Sequence, residues 1–193
     1  MKIVGLSGGI GSGKSTIAKV FCNCGIPVYN ADLQAKSLMN TNKFVIDEIT
    51  RAFGENAYSN ETLNREYIAN EIFNNNHKRE LMNSIVHPAV QKDFELWVTK
   101  QSAKYVIQEN ALMFSTDSYK KFDHTIYVTC PQEERIKRVA QRDGLSKEQI
   151  IGRINAQAKD EEACEKANFV ILNDNTKMII PQVLSIHKKL INS

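Results

Sequence analysis

The chain has 193 residues, 42% of them hydrophobic and 24% charged, with a formal net charge of +3. This is the composition of a globular protein with one substantial core and a small appended subdomain. Charge this low, with no block of like residues, gives no basis for nucleic acid or an anionic membrane as a partner. No apolar run approaches the ~20 residues that a membrane-spanning helix needs, and no leader precedes the strand pattern that starts at Lys2, so the expected location is the cytoplasm. Cys22, Cys24, Cys130 and Cys164 include no C-x-x-C pair, which argues against zinc and disulfide frameworks.

The first element, Lys2–Leu6, is short, apolar and carries the β-branched Ile3 and Val4, as a buried parallel strand does. Immediately after it, Gly8, Gly13, Lys14 and Ser15 have the spacing G-x-x-x-x-G-K-S of a nucleotide-phosphate loop. Glycines at 8, 9, 11 and 13 permit positive φ and let backbone N–H groups close around phosphate oxygens that a Cβ would obstruct. Lys14 adds positive charge at the β/γ-phosphates, and Ser15 offers a hydroxyl oxygen to Mg²⁺. Ile17, Val20, Phe21 and Cys24 then recur at helical spacing, so a helix starts near Gly13 and stops at Gly25, with the loop at its anion-binding end. ATP or GTP is the expected ligand.

Further β-rich segments follow at Ile26–Tyr29, Tyr105–Gln108, Thr125–Thr129 and Phe169–Leu172, alternating with helical patterns. The expected fold class is α/β: a five-stranded parallel sheet flanked by helices, with ligands beyond the carboxyl ends of the strands. The stretch between the second and third segments reads as helical throughout, with apolar positions at Ile68, Ile72, Phe73, Leu81, Ile85, Val90, Phe94 and Trp97. It is too long for an ordinary crossover and is expected to form a helical insertion, over about 33–100, that helps bind a second substrate. Ile179, Val183, Ile186 and Leu190 mark a closing helix with Pro181 near its start.

A regulatory GTPase would need an N-K-x-D element, and Asn173-Asp174-Asn175 lacks the lysine. A motor-type ATPase would usually end an apolar strand with an aspartate, where this chain has Glu109. A small phosphotransferase remains, which needs an acceptor site, a carboxylate near it and a mobile basic lid. Asp32 follows the second strand and reads equally as a catalytic base or a helix N-cap. Arg135, Arg138 and Arg142 share one helical face, which could meet a triphosphate or simply face water; Arg135 is the least favoured of them for function. Asp143-Gly144-Leu145-Ser146 is turn-like and leads into a helix with Arg153, as a hinged lid would. His87 reads as a ligand contact or as a structural residue where Pro88 ends or kinks a helix. Glu109 reads as a Mg²⁺ helper or a strand end.

Over nearly its full length the chain resembles the dephospho-coenzyme A kinases. The resembling stretches are GLSGGIGSGKST at 5–16, PVYNAD ending at Asp32, Leu63–Arg65, IVHP at Ile85–Pro88, ALMF at Ala111–Phe114, ERIKRVAQRD to Asp143, RINAQ at Arg153–Gln157, and ANFVILN ending at Asn173. The resemblance implies a single P-loop kinase domain over 1–193, of the nucleoside monophosphate kinase-like kind, that phosphorylates the ribose 3′-hydroxyl of dephospho-CoA with ATP. By position it implies that Gly11 to Thr16 hold ATP phosphates, that Asp32 is the base, and that Arg65 and His87 shape the dephospho-CoA site. Arg138 and Arg142 would belong to a lid over about 138–157, and Asn173 would lie near the adenine.

Three departures stand out. Asn30-Ala31-Asp32 replaces the usual D-A-D, Ala111-Leu112-Met113-Phe114-Ser115 replaces P-L-L-f-E, and Asn168 replaces an aspartate. The missing carboxylate at position 30 keeps a nucleotide-binding regulatory protein without turnover in view, beside another small-molecule or nucleoside monophosphate kinase. The oligomeric state is not legible in the sequence.

Overall fold

The computed structural model describes residues 1–73 and 75–192, and the chain falls into two compact units. One comprises Met1–Asn30 with Gln101–Ser193, the other Ala31–Lys100.

In the first unit, β1 (Lys2–Gly8), β2 (Val28–Asn30), β5 (Tyr105–Glu109), β6 (His124–Thr129) and β7 (Phe169–Leu172) form a parallel sheet in the order β2-β5-β1-β6-β7 among the described residues. Its strands are near-continuous apolar runs because both faces are covered. On one face Val4, Leu6, Ile107, Ile126, Val128 and Ile171 pack with Ile17 and Phe21 of α1 (Lys14–Asn23) and Val183, Ile186 and Leu190 of α9 (Ile179–Asn192). A second cluster joins Met113, Phe114, Tyr127 and Ala163. Register decides what meets at the carboxyl edge: Leu6 and Asn30 both pair with Glu109, Gly8 with Val128, and Thr129 with Leu172.

After β6 come α6 (Gln132–Asp143), α7 (Lys147–Asn155) and α8 (Asp160–Lys166). Gly144, at φ 66, ends α6, and Ser146 opens α7 with a reciprocal cap: its hydroxyl accepts from Gln149 N–H and its own N–H donates to the Gln149 side chain.

The second unit holds α2 (Ala31–Thr41), α3 (Lys43–Phe53), α4 (Arg65–Phe73) and α5 (Asn76–Thr99). Asn42 and Asn75 cap α3 and α5 through the N–H groups of Val45 and Lys78. Val45, Ile49 and Phe53 of α3 and Met82, Val86, Val90 and Phe94 of α5 are buried.

One sequence expectation fails here, and one is narrowed. The unit is not helical throughout, because β3 (Tyr58–Ser59) and β4 (Thr62–Leu63) form an antiparallel hairpin. Asn60 and Glu61 both have positive φ, 49° and 61°, the geometry of a two-residue turn whose twist suits paired strands. Leu63 N–H donates to Asn40 and the Tyr58 hydroxyl donates to the Met39 carbonyl, tying the hairpin to α2; burial pushes the Tyr58 hydroxyl up to about 12. Of the two readings at Pro88, that it ends or kinks a helix, the first is excluded. Pro88 lies inside α5, exposed, beside an exposed His87, where the side facing water absorbs the missing N–H.

Candidate active site

β1 stops at Gly8 and α1 starts at Lys14, and the loop between them is held by the protein on several sides. Ser12 N–H donates to the Gly9 carbonyl at 3.0 Å, while Thr16 and Ile17 N–H donate to Gly13 at 2.9 and 3.2 Å. Gly13 has φ 90°, and a Cβ there would lie 2.2 Å from Asn173 Nδ2. At Gly9 a Cβ would lie 2.2 Å from a guanidinium nitrogen of Arg135. Packing inside the chain is thus a further reason for glycine at 9 and 13; of the four loop glycines expected to use positive φ, Gly11 and Gly13 do so, at 78° and 90°, and Gly8 and Gly9 do not.

At the edge of the sheet, Glu109 closes β5 and is only 5% exposed. Its Oε1 accepts from Ser15 Oγ at 3.0 Å and lies 3.9 Å from Lys14 Nζ, and its Oε2 accepts from Asn30 Nδ2 at 2.7 Å. A carboxylate this deep needs such partners to offset its lost hydration. The alternatives left open for Glu109 narrow accordingly: it does not merely end a strand, since it contacts the two residues that carry the loop's charge and hydroxyl. Asn30 also gains a physical account. Its amide donates to Glu109, where an aspartate would set two carboxylates against each other.

Ser12 Oγ is buried and has no hydrogen-bond partner among the described residues. Buried hydroxyls are rarely left without a partner, so this one marks the loop. Ser15 and Thr16, in the first turn of α1, are exposed.

Asn173 follows β7. Its side chain donates to the Ser12 carbonyl at 2.8 Å and its N–H donates to Thr129 at 2.9 Å, so it braces the loop from behind. Arg138 reaches Gly11 O at 3.5 Å, Asn173 O at 3.2 Å and Asn175 Oδ1 at 2.7 Å. Arg142 stands apart, its side chain 63% exposed and paired in two hydrogen bonds with Asp143; that pairing holds the Asp143 carboxyl below the usual carboxylate range.

Arg135 overturns the expectation of a solvated side chain. It is 3% exposed, donating from Nε to Ile10 O at 2.9 Å and pairing with Asp160 at 2.8 Å. Gln157 accepts from Ile10 N–H at 2.7 Å. Sequence reasoning missed the connection from Asp160 and Gln157 to the loop, although Gln157 closes a stretch already singled out.

Asp32 is exposed in the first turn of α2, directly after β2. Asn30, not Asp32, precedes the helix, so the capping position falls on Asn30 and the acidic side chain of Asp32 is not spent as the cap. Arg65 opens α4 and His87 lies on α5, both exposed. Also in the second unit, a groove of about 840 Å³ runs between α3 and α5, with Phe44, Leu81, Ile85, Pro88 and Leu96 among its walls; neither Arg65 nor His87 lines it.

The sequence model of the dephospho-CoA kinase family matches residues 2–178. A dephospho-CoA kinase of Bacteroides fragilis is 35% identical over 184 residues, covering 95% of this chain and 90% of the relative. One from Acinetobacter baylyi is 33% identical over 194 residues, covering both chains completely. Among solved structures, a Thermus thermophilus protein superposes with a TM-score of 0.89 at 29% identity, covering 97% of this chain and 96% of that one. With the five-stranded parallel sheet, the phosphate loop and the Lys14–Ser15–Glu109 cluster in place, the chain belongs to the dephospho-CoA kinase family and is a kinase.

Proposed function

We propose that the chain transfers the γ-phosphoryl group of ATP to the ribose 3′-hydroxyl of dephospho-CoA, releasing coenzyme A and ADP. Family membership supports ATP use and the acceptor. The observation that carries the reading is the convergence of Lys14, Ser15 and Glu109 at the carboxyl edge of the sheet, beside a loop with an unpartnered Ser12 hydroxyl.

The roles follow from charge and geometry. Gly8, Gly9, Gly11 and Gly13 let the loop wrap the phosphates, Ser12 and Thr16 offer hydroxyls, and Lys14 neutralises charge that spreads over the γ-phosphoryl oxygens. Arg138 and Asn173, already against the loop, hold its nucleotide side. Asp32 accepts the proton of the attacking hydroxyl, and Arg65 and His87 orient the acceptor. Arg142 exchanges its local pairing with Asp143 for the triphosphate when the segment over about 138–157 closes.

Ser15 and Glu109 suit Mg²⁺. The ion takes oxygen donors, usually one or two carboxylates with substrate phosphates supplying the rest, and Ser15 Oγ lies 3.0 Å from a Glu109 oxygen. Bound there, the ion would neutralise phosphate charge and polarise the transferred group.

The test is a coupled ADP-release assay with dephospho-CoA set against a panel of nucleoside monophosphates and small alcohols. Turnover is expected with dephospho-CoA at a kcat/KM at least roughly a hundredfold above any other acceptor. Preference for another acceptor would replace the substrate, and ATP binding without turnover on any acceptor would restore the regulatory reading.

A further inference from the structure

Within the first unit, the two peptides that flank Ile10 are each gripped by a residue far away in sequence. The Ile10 N–H donates to Gln157 Oε1 at 2.7 Å, and the Ile10 carbonyl accepts from Arg135 Nε at 2.9 Å. The Arg135 guanidinium continues to Asp160 Oδ2 at 2.8 Å, and the other Asp160 oxygen accepts from the Tyr127 hydroxyl at 2.6 Å. Burial, with the bond to Asp160, drives the Tyr127 hydroxyl far above its ordinary range and keeps it a donor. The chain of contacts thus runs from the sheet through Asp160 and Arg135 into the phosphate loop.

Arg135 is an expensive residue to place here. Its side chain is 4% exposed, and it fills the space a Cβ at Gly9 would need. At Gly11 a Cβ would come within 2.7 Å of the Arg135 carbonyl, so side chain and backbone of one α6 residue both press on the loop. An ion pair buried so deeply adds little net stability against an apolar packing, because desolvation offsets the attraction. What it does supply is orientation. The Gly9–Ile10 peptide held at its N–H and the Ile10–Gly11 peptide held at its carbonyl can each flip only by breaking a hydrogen bond, and a flip of either would redirect the N–H groups of the loop.

We propose that Arg135, held by Asp160 and assisted by Gln157, is a positioning residue that sets the phosphate loop in its nucleotide-binding form before ATP arrives. The inference rests on the loop being the ATP site. Its consequence is selective: removing the clamp costs nucleotide affinity, while the acceptor, bound elsewhere, is held as before.

The experiment measures binding of a non-hydrolysable ATP analogue with Mg²⁺ by calorimetry, and KM for ATP and for dephospho-CoA, in wild type, Arg135→Met, Arg135→Lys and Gln157→Leu. Wild-type binding of the analogue checks the underlying reading independently of any variant. Arg135→Met should weaken the analogue about tenfold or more, since the charge-assisted bond that fixes the Ile10 carbonyl and the link to Asp160 are lost together. Gln157→Leu should weaken it roughly threefold to tenfold. KM for dephospho-CoA should stay within about twofold in both, and Arg135→Lys should recover part of the loss. If Arg135→Met does not fold, Gln157→Leu alone decides. Analogue affinity within about twofold of wild type in the folded variants overturns the proposal, as does equal weakening of both substrates.

Discussion

Lys14 and Glu109 form an ion pair 3.9 Å apart at the end of the sheet, their side chains 14% and 6% exposed, and Ser15 and Asn30 donate hydrogen bonds to the carboxylate. Because Ser15 and Asn30 still satisfy Glu109 without the ammonium, Lys14→Ala should leave the fold intact. It should lower turnover by roughly a hundredfold and raise KM for ATP. Near-normal turnover at an unchanged melting temperature would remove Lys14 from the mechanism. Asp32 tests a different point. Asp32→Asn keeps size but not basicity, and because phosphoryl transfer demands little early deprotonation, turnover should fall by about 10²–10³ with substrate binding retained. Turnover within about threefold of wild type would make the residue structural and turn attention to Glu109. At this scale the sequence was most readable where local geometry is demanding, as at Gly13, and least where a partner is remote. Arg135 looked like one of three similar arginines, and nothing local told that Asp160 and Ile10 would bury it.

Among the elements, α6 and α7 carry the proposed lid, and their junction was legible because Gly144 and Ser146 are punctuation with a mechanism: left-handed backbone, then a hydroxyl for an unpaired N–H. Ser146→Ala removes that hydroxyl and should cost about 1 kcal/mol, seen as a fall of roughly 2–4 °C in melting temperature and faster amide exchange at the start of α7. Unchanged exchange there would show that packing, not the cap, starts the helix. Arg142 spends its hydrogen bonds on its neighbour Asp143, so phosphates offer it a better partner. Amide exchange over about 138–157 should therefore slow when an ATP analogue and dephospho-CoA bind together, and identical protection with and without them would count against closure. The β3–β4 hairpin escaped sequence reading because its strands are two residues long, too short for periodicity to register, and the decisive feature is the pair of positive φ angles at Asn60 and Glu61.

Across the first unit, the site depends on strands whose side chains are the core. Ile107 is fully buried in β5, two residues before Glu109. Ile107→Ala should destabilise the protein by about 2–5 kcal/mol, read from the denaturant midpoint, because the cavity left in a close-packed sheet collapses only partly. A loss below about 0.5 kcal/mol would mean that the sheet repacks freely. The alternation of β-rich and helical segments, the phosphate loop between the first strand and helix, and the apolar stripe of α9 were all determined by sequence alone. Each rests on a local rule: strand burial on both faces, glycine's access to positive φ, and the helical repeat. Only the tertiary structure decided the strand order β2-β5-β1-β6-β7 and its register. That register sets Glu109 against Ser15, 94 residues away, and lets α6 press Arg135 onto Gly9. Such pairings come from how whole elements bury their faces against one another, a free energy shared across the core that no short stretch of chain contains.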